Sequence, residues 1–153
     1  MRAWHWFAGV WGRIQPGVAL TATNSLLLRD DDVGWRPPPQ LSYLWLHLRL
    51  CFLQSLWVVR CQSAGTASHT AQAVVGRFVA VLHQQISRDW QRVVSDIRWD
   101  NGMPASWFRG RDPTITREEF ERRWCVRGVV AAVSGGDGLG PLAFTFRLSA
   151  QGV

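Results

Sequence analysis

The chain has 153 residues, 47% hydrophobic and 18% charged, with a mean hydropathy of -0.05 and a formal charge of +6. These values exclude a chain too polar to fold and one built for the bilayer interior. A chain of this length buries roughly two-thirds of its unfolded surface, enough for one core without disulfide or metal staples.

All 17 basic residues are arginine. The guanidinium fork suits phosphates, carboxylates and aromatic faces, although G-rich codons produce the same bias without selection for binding. The 10 tryptophans carry a similar ambiguity between stacking platforms for bases and large core fillers, and packing is the expected use. Cys51, Cys61 and Cys125 are too few and too scattered for a disulfide framework, so the expectation is a reducing, intracellular compartment, cytoplasmic or nuclear.

In chain order, Trp4, Phe7, Trp11 and Ile14 recur at spacings of three and four, which predicts a short helix with an aromatic stripe that stops at Pro16-Gly17. His5 interrupts the apolar stretch and no small-residue cleavage site follows promptly, so the segment does not read as a signal peptide. The run Arg29-Asp30-Asp31-Asp32-Val33-Gly34-Trp35-Arg36-Pro37-Pro38-Pro39 predicts a loop and the best internal boundary, at 29–39, its aspartates reading as a solvated turn.

From about 40 to 60, Leu41, Leu44, Trp45, Leu48, Phe52, Leu56 and Val59 predict a helix apolar around most of its circumference and central to the fold. Arg49 at its middle, with His47 and Gln54 nearby, argues against a membrane span. From about 68 to 99, Ala71, Val75, Phe78, Leu82, Ile86, Trp90, Val93 and Ile97 predict a long amphipathic helix. At about 100° per residue, Arg77, Arg88 and Arg92 fall within roughly 60° of one another on its opposite side. Asn101-Gly102-Met103-Pro104 ends it, and Trp107 to Pro113 reads as an irregular linker bearing Arg109 and Arg111.

Thr116 and Glu119 form a capping box that opens a helix over 117–127, in which Glu118 with Arg122 and Glu119 with Arg123 stand four apart in the favourable order. Ser134 to Pro141 is glycine-rich, and 134–153 is expected to be a flexible tail in which Leu142 to Leu148 either pairs as a strand or does not. The predicted fold is all-α: a small helical bundle around the two long helices, with 1–133 as a single helical domain.

Chemistry-bearing motifs are weak. His47 and Cys51 share a helix face, and Cys61 and Cys125 would complete a Cys3His zinc set, but no C-x-x-C pair accompanies them and core residues are the expected reading. There is no G-x-S-x-G elbow, the Gly136 to Gly140 run lacks the strand and helix of a phosphate cradle, and Glu118, Glu119 and Glu121 suit a helix first turn. No catalytic, cofactor or metal residues are therefore assigned.

Three segments resemble a known family: Leu53-Gln54-Ser55-Leu56-Trp57-Val58-Val59-Arg60-Cys61; Arg88-Asp89-Trp90-Gln91-Arg92 through Asp96-Ile97-Arg98; and Trp107-Phe108-Arg109-Gly110-Arg111-Asp112-Pro113 continuing to Glu118-Glu119-Phe120-Glu121-Arg122-Arg123-Trp124-Cys125. In this order they resemble the C-terminal tail of LINE-type (non-LTR) reverse transcriptases, of the kind associated with oomycete-like genomes, over about Trp35 to Val130. The resemblance implies a segment lying downstream of a polymerase domain and brings no catalytic residues. The Y-x-D-D turn that holds the polymerase metals is missing, since Tyr43, the single tyrosine, is followed by Leu44-Trp45-Leu46.

The expectation is thus a non-enzymatic helical protein without cofactors or small-molecule substrate, contacting RNA or DNA phosphates through Arg77, Arg88, Arg92, Arg109 and Arg111. The alternative is a protein-interaction or self-associating module that uses exposed aromatics among Trp4, Trp6, Trp11 and Trp35.

Overall fold

In the computed structural model the described residues are 2–18, 20, 37–62, 70–100, 115–136 and 141–150, with 95–100 described by their backbone. They form four α-helices, α1 (Arg2–Ile14), α2 (Ser42–Gln62), α3 (Ala71–Asp100) and α4 (Arg117–Trp124), and two strands, β1 (Ala131–Ser134) and β2 (Ala143–Phe146). The protein is therefore mostly helical with one small sheet, where helix alone was expected. It groups into two compact units, Met1–Leu82 with Leu148–Val153, and His83–Arg147. The division falls within α3, while most of the loop predicted at 29–39 lies outside the described residues.

In the first unit, α1 follows its aromatic stripe. Phe7, Val10, Trp11 and Ile14 are buried, and the helix ends before Gly17, whose φ of 88° is open to glycine at little cost. Pro39–Leu41 form a 3-10 turn into α2. The core is aromatic: the Phe7 and Phe52 rings stack at 4.6 Å, Trp11 and Trp45 lie 4.7 Å apart, and Phe78 of α3 meets Phe7 edge-on at 6.0 Å.

The expectation that α2, apolar around most of its circumference, is central to the fold is corrected on one side. Leu44, Leu48, Phe52 and Val59 face the core, but Leu46, Leu50 and Trp57 are 49%, 53% and 67% exposed. A helix surrounded by leucine in sequence buries only the sides on which other elements press, and sequence periodicity cannot say how many those are. Ser55, buried inside this apolar surface, donates its hydroxyl to the Cys51 carbonyl at 2.7 Å, which satisfies the polar group within its own helix. The Thr70 hydroxyl accepts from the Ala73 amide at 3.2 Å and caps α3.

In the second unit, α3 buries Ile86, Asp89 and Val93. The predicted cap of α4 forms, with the Thr116 hydroxyl accepting from the Glu119 amide at 3.1 Å. The helix stops at Trp124 rather than 127: a 3-10 turn, Val126–Gly128, follows, with Arg127 at φ 51° and Gly128 at φ 61° reversing the chain toward β1.

Of the two courses left open for Leu142 to Leu148, pairing as a strand is the one taken at 143–146. There β2 pairs antiparallel with β1, Ala131 opposite Phe146 and Ser134 opposite Ala143. The ladder continues as the Arg147 amide donates to the Val130 carbonyl at 2.9 Å. Strict alternation in Phe144-Thr145-Phe146 puts two rings on one face of the strand. There they meet Trp90 at 5.4 Å and His83 at 4.9 Å respectively, which supplies the apolar burial that holds a short hairpin.

Candidate nucleic-acid interface

The predicted arginine set divides according to what each side chain already touches. Arg77, in the first unit, is half-buried, and its Nε is enclosed without a hydrogen-bond partner among the described residues. Arg88 is exposed and takes no part in an ion pair among the described residues. Arg92 is engaged within the fold: its guanidinium donates to Asp89 Oδ1 at 3.1 Å. Arg109 and Arg111 lie outside the described residues.

The residue that sequence reasoning passed over is Asp89. It is only 6% exposed, and its Oδ2 accepts the indole N–H of the fully buried Trp124 at 2.9 Å while Arg123 lies 3.7 Å away. Arg123 also bonds Glu119, as its spacing predicted, and Arg117 bonds Glu121 at 2.8 Å. Arg122 stands 3.9 Å from Glu119 and is 70% exposed, so its predicted pairing with Glu118 is replaced by one a residue further along. A signal for Asp89 was available: it lies three residues after Ile86 and four before Val93, on the apolar stripe. An acid in such a stripe requires partners that satisfy its oxygens.

Among the described residues, Asp89, Glu119 and Glu121 are thus each held by an arginine. In sequence, the first unit has seven arginines against three aspartates, a balance of +4, and the second has ten arginines against eight acids, a balance of +2. Those three aspartates, Asp30, Asp31 and Asp32, lie outside the described residues, and the described residues of the first unit contain Arg2, Arg13, Arg49, Arg60 and Arg77 but no acidic side chain. In the second unit, Arg88, Arg127 and Arg147 are exposed, and the Arg147 guanidinium reaches the Gly128 carbonyl at 3.3 Å.

The aromatic residues proposed for a partner surface are placed differently from expectation. Trp11 is fully buried, Trp4 packs on Phe7 at 5.6 Å, Trp6 packs on Phe78 at 5.6 Å, and Trp35 lies outside the described residues. Among the described residues the broadly exposed indole is Trp57 instead.

Among the described residues no group of three or more histidine, cysteine or acidic side chains is placed to hold a metal ion. His47 Nδ1 lies 2.9 Å from the Tyr43 carbonyl within α2. Burial pushes the Cys51 thiol up from an ordinary 9.0 to about 11. Cys125 is likewise pushed up to about 11, by burial first and the nearby Glu121 charge second. A thiol held protonated is a poor metal ligand and a poor nucleophile. No described helix is long and apolar enough to cross a membrane. The chain matches no protein-family model, no curated protein and no solved structure.

Proposed function

We propose that this chain is a non-enzymatic helical protein, framed by its two long helices α2 and α3, that binds nucleic-acid phosphates through its arginines. We read it as derived from the C-terminal region of a LINE-type reverse transcriptase, a segment that the resemblance implies lies downstream of a polymerase domain. The observation that carries the phosphate-binding reading is the surplus of arginine over carboxylate: Arg88 and Arg127 are exposed and bear no carboxylate partner among the described residues. Guanidinium groups in that state displace the counterions condensed on nucleic-acid phosphates, so affinity falls linearly in log-log form with salt, by about 0.9 per phosphate neutralised on B-form DNA. Arg92 contributes less, because leaving Asp89 strips a buried carboxylate of a partner. A titration of fluorescent RNA and DNA against salt tests the reading: a steep negative slope supports it, and no binding in dilute buffer refutes it.

A second reading, a protein-interaction or self-associating module, is favoured by the exposure of Leu46, Leu50 and Trp57 along α2. Light scattering separates the two, since a monodisperse monomer at high concentration removes self-association.

A further inference from the structure

Resting on the nucleic-acid reading above, we infer that the principal phosphate-contacting surface is the solvent face of α1, carried by Arg2 and Arg13, rather than the arginine stripe of α3. Both residues are exposed, and neither takes part in an ion pair among the described residues. They are eleven residues apart, which at about 100° per residue returns Arg13 to within roughly 20° of Arg2 on the same face, about 16 Å further along the axis. His5 and Gly9 lie between them and are exposed too.

Stability does not account for the pair. Arg13, in the last turn, is favoured by the helix dipole, but Arg2 sits in the first turn, where a cation opposes it, and no acid in that turn offsets the charge. The described residues of this unit carry no carboxylate to mask either guanidinium. The pair is also separated by more than the roughly 8 Å screening length at physiological salt, so the two charges repel each other little. A duplex carries one phosphate per about 3.4 Å of axis on each strand, so that span is long enough for each guanidinium to meet a phosphate of its own. In α3, by contrast, Arg92 is held by Asp89 and the Nε of Arg77 is enclosed.

The test compares the intact chain with Arg2→Gln/Arg13→Gln and with Arg88→Gln/Arg127→Gln, each checked for native helicity by circular dichroism. The probes are a mixed-sequence DNA duplex, an RNA strand of the same sequence, and anionic phosphatidylserine vesicles. The expected result is that the α1 pair variant flattens the salt slope on the duplex by about two, and by more than Arg88→Gln/Arg127→Gln does. If the intact chain binds nucleic acid and the α1 pair variant keeps the full slope, this inference is overturned and the broader reading stands. If the intact chain binds neither nucleic acid, or binds vesicles alone, both are overturned.

Discussion

Removing the Asp89 carboxylate is expected to weaken the second unit more than any surface substitution. In Asp89→Ala the indole N–H of Trp124, at 2.9 Å from Oδ2 in a fully buried ring, is left without its acceptor. A hydrogen bond to a charged acceptor contributes about 1.5–3 kcal/mol, with the cost of an unsatisfied buried donor included. Arg92 and Arg123, with side chains 27% and 22% exposed, lose their ion pairs to Asp89 as well. Because both reach solvent, the full penalty of a buried unpaired charge does not apply, and roughly 1 kcal/mol in all is the appropriate addition. The expected loss is therefore about 2.5–4 kcal/mol for Asp89→Ala. Asp89→Asn keeps an oxygen for the indole but not the charge for the arginines, so about 1–2 kcal/mol is expected.

Urea denaturation followed by circular dichroism, with hydrogen exchange at the α3 amides 83–94 reporting on this unit alone, measures both. In a double-mutant cycle with Trp124→Phe, the coupling should be about 1–2 kcal/mol. A loss below about 1 kcal/mol for Asp89→Ala, or zero coupling, would refute the view that this carboxylate organises the α3–α4 packing.

Two further outcomes follow from local features. A Cβ at Gly9 meets nothing within 4 Å, so Gly9→Ala should stabilise α1 by about 0.5–1 kcal/mol, whereas Gly136→Ala should destabilise, because Gly136 holds φ at +82°; thermal denaturation reads both signs. Cys61 is exposed and Cys51 buried, so a disulfide-exchange reagent at mildly alkaline pH should modify Cys61 first. The neutral Cys51 thiol supports folding fully below pH 9.0, and that contribution is lost as pH rises toward about 11, since the unfolded thiol ionises first. A pH titration of stability with the other two cysteines replaced by serine checks the sign, and rising stability over that window would contradict it.

What the sequence determined by itself was local. Spacings of three and four placed Phe7, Trp11 and Ile14, and Phe78, Leu82 and Ile86, in the cores of their helices. The Thr116 hydroxyl capped α4, and Glu119 took Arg123, because these interactions are closed within one or two helical turns. Tertiary structure decided everything that depends on distant partners. It decided that Asp89 receives Trp124 from another helix and thereby occupies Arg92, that β2 finds β1 and Trp90 instead of trailing free, and that α2 leaves Trp57 in solvent. Periodicity states which side of an element is apolar. Whether that side is covered, and which charges are left free for a ligand, depends on groups brought close only when the chain folds back on itself.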